Sequence, residues 1–461
     1  MNGEVLGNLG LDRFDVLIVG SGASGGAAAE LLCRRGQRVL ILEAGPNYFE
    51  GIDRPTPTQA LPRFGNDELK QRQRHQITPD PLVDPQTFRR RPEDGDRLGV
   101  GSYAQFPKTL GGGATHADLK TPRFLPDDLR LASLRGDVPG ASFVDWPVSY
   151  DELEPFYLYT ERLMGVQGLA GADPQEPRRS APYPMPPGIT PYLAELVKRG
   201  TDKLGFQLFP CPAAVNSRPY DGRPACVDCG FCQSQPCPIN AKGSPGVTTL
   251  RKALLSGHCQ IRTETRAVRL LFSGDGATVT GVEALLPDGK RATFRADRYL
   301  LAANPVEDVR LLLLSAQGTA LKDQSGLIGR HLMLHRSVDV LAIFEDQLHG
   351  HRGHGSTHGF SDFRVPRDLQ RPLGGLVLAT PITAGFTDRL GLSGHVTVFD
   401  AIPGEPDIAT LDAAMAAARA ARPDLVVGLG GGSVLDVAKL VAAMWDGDQT
   451  LADVAGPNRI A

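Results

Sequence analysis

The feature that most constrains this chain is a glycine turn set between two patterned segments. Residues 14–19, FDVLIV, form a nearly unbroken apolar run of strand length. Gly20-Ser21-Gly22-Ala23-Ser24-Gly25 follows, with Gly26 behind it, and AAAELLCRRG then reads as a helix ending near Gly36. A second apolar run, RVLILEAG at 38–45, completes a β-α-β opening. The turn has the form G-x-G-x-x-G. Its glycines permit a tight reversal and let backbone N–H groups at a helix N-terminus approach a diphosphate. Glu43 ends the second strand, where a carboxylate meets ribose hydroxyls, with Ala44 beside it. An ordinary strand-turn-helix is the plain alternative, and the flanking pattern weighs against it. The motif by itself does not choose between FAD and NAD.

The chain has 461 residues, room for two or three domains. A net charge of -3 gives no electrostatic reason to expect nucleic acid or an anionic membrane as partner. No apolar run approaches the roughly 18 residues of a membrane span. The opening stretch MNGEVLGNLGLDRFD has neither a basic nor an apolar leader pattern, so a cytoplasmic location is expected.

Residues 46–108 are polar and rich in Pro and Arg, and read as irregular surface. A second glycine turn, LGGGATH, occupies 110–116. Helices are expected over 150–166, 194–206, 248–258 and 305–318, and an alternating pattern over 266–304 reads as a β-meander with turns at Asp275-Gly276 and Asp288-Gly289. Over 345–374 the pattern weakens, which marks a boundary. Beyond it lie a strand at 394–402, an Ala-rich helix at 410–423, a strand at 424–429, the turn Gly430-Gly431-Gly432-Ser433 and a helix at 434–445. This is a second, incomplete nucleotide-binding pattern.

Cys33 and Cys259 stand alone, whereas Cys211, Cys226, Cys229, Cys232 and Cys237 are bunched within a loop at 211–245. The spacing from Cys226 to Cys237-Pro238 is that of a ferredoxin loop with one extra residue before the last cysteine. An iron–sulfur cluster, a zinc ion and plain structural cysteines all suit such spacing, and Cys211 is a further candidate ligand. His349, His351, His354 and His358 form a run in a Gly-rich loop, read as solvated in preference to metal-binding.

VGSGASGGAAAELL…VLILEAGP, KTLGGGATH, DWPVSYDELEPFY, AKGSPGVTTLRKAL, YLLAA with RLLLLS, and GLIGRHLMLH together resemble the glucose-methanol-choline oxidoreductases, in matching order over about 14–340, most of all the gluconate-type dehydrogenase large subunits. The resemblance implies FAD and hydride transfer from the CH–OH group of a sugar, sugar acid or other alcohol. It implies a Rossmann-like FAD-binding domain (core about 14–120 and 245–335) with a partial α+β substrate domain, together spanning 1–375. It places Gly112 and Gly113 along the isoalloxazine and diphosphate, with Thr115 in the same turn. It also places Val268 by its backbone at the adenine and Ala302 near the diphosphate. His116 matches a position linked covalently to flavin in some relatives. Asn304 stands where the family carries Gly. Some relatives hold an iron–sulfur cluster at the cysteine loop and work with a small subunit and a cytochrome c subunit, sometimes in the periplasm. His335 falls in a structural motif, and no segment matching the family's C-terminal His with its His or Asn partner is found, so no catalytic base is assigned.

The stretch 376–461 resembles the NAD(P)-binding part of iron-containing alcohol dehydrogenases, which implies Gly431, Gly432 and Ser433 at the cofactor diphosphate. The histidines of that family's metal site have no counterpart after His395. The alternatives to an FAD oxidoreductase are therefore an NAD(P)-dependent iron-type alcohol dehydrogenase and a catalytically inert fusion that only binds nucleotide.

Overall fold

The structure is a computed structural model. It describes residues 3–8, 10–54, 107–136, 143–229, 232, 236–317, 323, 325–332, 353–354, 357–362, 408–422 and 441, with backbone alone at 61–62, 87–88, 99–100 and 377–379. The chain divides into one unit of Met1–His331 with His349–Gly385 and another of Leu332–Leu348 with Phe386–Ala461.

The first unit is built on a five-stranded sheet. In chain order its strands are β1 (Val5–Gly7), β2 (Val16–Val19), β3 (Val39–Leu42), β5 (Cys259–Arg262) and β9 (Arg298–Leu301), with β4 (Phe209–Pro210) lying elsewhere. The spatial order is β1-β5-β3-β2-β9, parallel throughout except for β1 on β5. Every residue of β2 and β3 is buried, as expected for parallel strands covered on both faces. On one face Ile18, Val39 and Ile41 pack with Ala29 and Cys33 of α1 (Ala23–Arg34) and with Leu250 and Leu254 of α5 (Thr249–Leu255). On the other, Leu17, Leu40 and Leu42 meet Leu270 and Val282 of an antiparallel meander, β6 (Arg266–Phe272), β7 (Val279–Leu285) and β8 (Arg291–Phe294), together with Leu311 of α6 (Pro305–Ala316). The α/β class and the Rossmann-like opening stand.

Several expectations need correction. α1 begins at Ala23, inside the glycine turn, because Gly22 takes the cap position. The stretch 298–301 is not a fourth meander strand: β9 pairs in parallel with β2, Arg298 opposite Val16. Of the supposed irregular surface, Asn47, Tyr48, Phe49 and Ile52 are buried, and the Arg251 guanidinium donates to the carbonyls of Gly51, Ile52 and Arg54. Helix α3 (Tyr150–Met164) opens on a capping box between Ser149 and Glu152, as its sequence requires. It carries Glu154 and Glu161 into a buried ionic network with Arg123 and Arg179. Helix α4 (Tyr192–Leu204) covers the second expected helix.

In the second unit the described helix is α7 (Ile408–Ala421), on the Ala-rich stretch. The strands expected at 394–402 and 424–429, and Gly431, Gly432 and Ser433, lie outside the described residues.

Candidate functional site

The three motif glycines do three different things. Gly20 has φ +96°, and a Cβ added there would lie 2.5 Å from the Ala302 carbonyl oxygen, so strand β9 arrives against the turn itself. A Cβ at Gly25 would lie 2.1 Å from the Gly20 carbonyl, so this glycine lets α1 pack onto its own turn. Gly22 is the opposite case: a Cβ there would meet nothing within 4 Å. It caps α1 without any side-chain hydrogen bond, and Ala23 and Ser24 behind it are exposed. The second glycine therefore faces open space at an uncapped helix N-terminus, where a diphosphate binds.

The second turn stands opposite. Gly112 has φ +56°, and a Cβ on it would come 3.0 Å from Gly22 Cα; a Cβ on Gly113 would come no nearer than 3.9 Å to Pro107 Cδ. Gly113–His116 forms a single short helical turn, α2. The Thr115 hydroxyl, fully buried, donates to the Leu110 carbonyl at 3.0 Å and braces the turn from behind. His116 is also buried.

The two turns are tied through Ser21 and Glu43. Glu43 Oε2 accepts from the Ser21 amide at 3.0 Å and the Ser21 hydroxyl at 2.5 Å, while Oε1 accepts from the Gly45 amide at 2.8 Å. The same Ser21 hydroxyl accepts from the Gly111 amide at 3.0 Å. Burial pushes the Glu43 carboxyl above its ordinary value, while the bonds from Ser21, Gly45 and Ala44 pull the other way. Ser21 thus acts from beneath the turn and is no surface contact, a role missed by reading the motif alone. Ala44 is exposed on the outer side.

Two further positions fit a dinucleotide. Strand β6 pairs Ala267 with Ala284 and then Arg269 with Glu283, so Val268 falls on a bulge with no residue of its own opposite it in β7. Asn304 adopts φ +98°, ψ 160°, a conformation proper to glycine, and holds it by accepting from the amides of Val306 and Glu307 at the start of α6. Unlike α1, α6 therefore has its N-terminus closed by its own side chain.

In the cysteine loop, the Lys242 ammonium is buried and donates to the Ala117 carbonyl at 2.8 Å and the Cys232 carbonyl at 3.1 Å, tying the loop to the residue after His116. A lone lysine in the otherwise uncharged AKGSPGV was the available signal. Cys226, Cys229, Cys232 and Cys237 are all free thiols, and burial pushes Cys226 up to about 12 and Cys232 to about 11. Among the described residues, no three Cys, His, Asp or Glu side chains gather as a metal-holding group. Cys211 is buried elsewhere, its amide bonded to the Thr357 carbonyl. His354 and His358 are buried against expectation: His358 opens β10 (His358–Phe360), which pairs with β4 and with β11 (Val377–Ala379). His335, His349 and His351 lie outside the described residues.

A parallel sheet with an uncapped glycine turn at its carboxyl edge is the arrangement of a Rossmann-like α/β fold. Residues 18–49 match the NAD(P)-binding Rossmann-like domain, residues 189–337 the GMC oxidoreductases, and residues 374–460 the iron-containing alcohol dehydrogenases. The longest of these matches, over residues 189–337, makes the chain similar to the GMC oxidoreductases. It is 33% identical over 340 residues to the fructose dehydrogenase large subunit of Gluconobacter japonicus, covering 71% of this chain and 59% of that one. It is 28% identical over 366 residues to the gluconate 2-dehydrogenase flavoprotein of Pantoea cypripedii, covering 73% and 58%. A shorter match, 37% over 71 residues, is to a 1-propanol dehydrogenase of Citrobacter freundii, covering 15% and 19%. The chain thus spans somewhat under three-fifths of the length of the first two relatives. No described helix is long and apolar enough to cross a membrane.

Proposed function

We propose that this chain binds FAD between its two glycine turns and serves the oxidation of a CH–OH group of a sugar, sugar acid or other alcohol. The observation that carries the reading is the open space at Gly22, facing Gly112, above an uncapped α1. FAD would supply hydride acceptance. The protein would supply the α1 amides to the diphosphate, the Val268 backbone at the β6 bulge to the adenine and the Gly112–Gly113 backbone as a wall without side chains. The substrate hydroxyl proton needs an acceptor beside the flavin, and none of the described residues is assigned that part.

The test is an anaerobic absorbance spectrum of purified protein before and after a panel of polyols and sugar acids. Bleaching of the flavin bands by one substrate supports the reading. Bands that respond only to dithionite support FAD binding and overturn the activity. Protein without flavin bands, and unable to take up FAD, overturns both. Acid-precipitated protein that stays yellow would add a covalent link at His116.

The spacing of Cys226, Cys229, Cys232 and Cys237 supports a cluster, and no electron step is routed through them. Iron and acid-labile sulfide near zero in anaerobically purified protein would remove the cluster from consideration. For 376–461, the family match over 374–460 supports a second nucleotide site with Gly431, Gly432 and Ser433 at the diphosphate of NAD(P). Equilibrium binding of NADH to the full chain tests it, and absence of binding refutes it.

A further inference from the structure

The cysteine loop is closed at its base by its own flanks. Val215 bridges Lys242, the Asn216 amide donates to the Ala241 carbonyl, and the Gly243 amide donates to the Ala214 carbonyl. The same base meets the chain that leaves the second glycine turn: Lys120 bridges Ala213, and the Ala214 amide donates to the Leu119 carbonyl. The Lys242 side chain adds a link that this backbone pairing does not make. Lys242 is 1% exposed, and its ammonium donates to the Ala117 carbonyl at 2.8 Å and the Cys232 carbonyl at 3.1 Å. Ala117 ends the turn that carries Gly112, Gly113 and His116, whereas Cys232 lies in the middle of the loop. Burial pushes this ammonium below its ordinary value, and Cys232, Asp118, Cys237 and Cys229 hold it up, so three thiols of the loop act on the same charge.

We propose that Lys242 is a positioning residue that couples the cysteine loop to the second glycine turn, so that a dinucleotide bound at the turns steadies the loop thiols. The proposal rests on the FAD reading of the site and deepens it. That reading sets the cofactor against Gly112 and Gly113, and the Gly113 carbonyl accepts from the Ala117 amide at 2.9 Å, so a fixed turn fixes Ala117. Both acceptors of the ammonium are backbone carbonyls, so it follows where the two segments sit and not which side chains they carry. Moving either carbonyl away leaves a buried cation short of an acceptor, which is worse than the loss of a neutral hydrogen bond. A displacement of one segment is therefore opposed by the other. The coupling is reciprocal: if FAD steadies the loop, a group bound to the thiols changes FAD affinity by the same factor.

The experiment uses full-length protein, flavin-free and FAD-loaded, and follows alkylation by N-ethylmaleimide, peptide by peptide, by mass. Cys226, Cys229 and Cys237 are half-buried and are the sites read. Cys33 and Cys259, buried in the core, should stay unreactive and report that each protein is folded. In wild type, bound FAD should slow alkylation of the three loop thiols by about fivefold or more, the low end of a coupling between sites. In Lys242→Met, which keeps the bulk and loses the charge, the effect of FAD should fall to within about twofold, and Lys242→Arg, which keeps a cationic donor, should restore it. The wild-type comparison stands even if a variant fails to fold. Loop thiols that react equally fast with and without bound FAD overturn the coupling and leave the FAD site intact. An FAD effect as large in Lys242→Met as in wild type overturns the part given to Lys242. Wild-type protein that takes up no FAD overturns the FAD reading and the coupling together.

Discussion

The Ser21 hydroxyl donates to Glu43 Oε2 at 2.5 Å and accepts the Gly111 amide at 3.0 Å, so one buried oxygen joins the two glycine turns. Neither turn holds its shape alone. The first is closed by Glu43, which also takes the Gly45 amide, and the second hangs from the first through Ser21. Ser21→Ala removes a donor from Glu43 and leaves the Gly111 amide without this acceptor in a buried place. The expected cost is about 1–3 kcal/mol of stability in the flavin-free protein, read as a shift in urea midpoint. Equal midpoints for the two proteins would sink this account.

Asn304 sets two effects of unequal size against each other. Its backbone, at φ +98° and ψ 160°, lies in a region that costs a residue with a Cβ about 1–3 kcal/mol. Its side chain caps α6, and replacing an Asn cap by Gly costs only a few tenths of a kcal/mol. The strain outweighs the cap. Asn304→Gly should therefore stabilise the protein by about 1–2 kcal/mol, while Asn304→Ala, which keeps the strain and loses the cap, should destabilise it. Thermal unfolding of both variants decides, and the idea fails if Gly and Ala fall on the same side of wild type.

Particular residues mark where the sequence is legible and where it is not. The β-α-β opening is legible because FDVLIV and RVLILEAG are apolar runs on either side of a glycine spacing with one physical purpose. The cap of α3 is legible because Ser149 and Glu152 are near neighbours. The role of Ser21 is not, because its partner amide belongs to Gly111, far along the chain. Strand β9 is easily misread because Arg298, Tyr299 and Leu300 alternate like the meander before them, and only pairing with Val16 and Leu17 shows which sheet they join. His354 and His358 are misread because a Gly-rich run resembles solvent-exposed loop, whereas pairing of β10 with Phe209 and Pro210 places His358 in a sheet and both rings are buried.

Glu161 holds two guanidinium groups at once. Arg123 reaches it through Nε at 2.8 Å and Nη2 at 2.9 Å, and Arg179 through Nη2 at 2.5 Å, with the side chains of all three nearly inaccessible to solvent. Removing the carboxylate leaves Arg123 with Glu154 and Tyr150, and Arg179 with Glu176, each short of its strongest partner. Glu161→Ala should cost about 3–5 kcal/mol, chiefly because it leaves buried positive charge uncompensated. A loss under about 1 kcal/mol in chemical denaturation would show that water or the remaining acids already satisfy the arginines.

Acid should reveal the clasp between the starts of β2 and β3. Asp15 accepts from Arg38 at Nη2 (2.8 Å), Nε (3.3 Å) and the backbone amide (2.7 Å), and these bonds hold its carboxyl at about 2, below the ordinary 3.8. A depressed carboxyl stabilises the fold above its unfolded value and loses that contribution as pH falls through the folded one. Asp15→Asn should thus lower the melting temperature slightly at neutral pH, and the gap to wild type should close between about pH 4 and 2. The clasp is partly exposed, so the effect is small and should shrink in high salt. A gap that persists unchanged at about pH 2 would assign it to packing.

The two glycines that frame the site should separate binding from folding. Gly22 has φ -63° and open space where a Cβ would go, so Gly22→Ala strains nothing in the flavin-free protein and costs at most the modest difference between Gly and Ala at a helix cap, up to about 1 kcal/mol. The added methyl, however, occupies the approach to the α1 amides, where the diphosphate must come close. Gly25 has the Gly20 carbonyl 2.1 Å from its missing Cβ, so Gly25→Ala has no room without prying α1 from the turn. The expected pair of results is a stable Gly22→Ala protein that is purified without flavin and a Gly25→Ala protein that unfolds more easily whether or not FAD is added. Urea unfolding and flavin content, measured on the same samples, check both. Full flavin content in Gly22→Ala would place the diphosphate elsewhere and remove the observation on which the FAD reading stands.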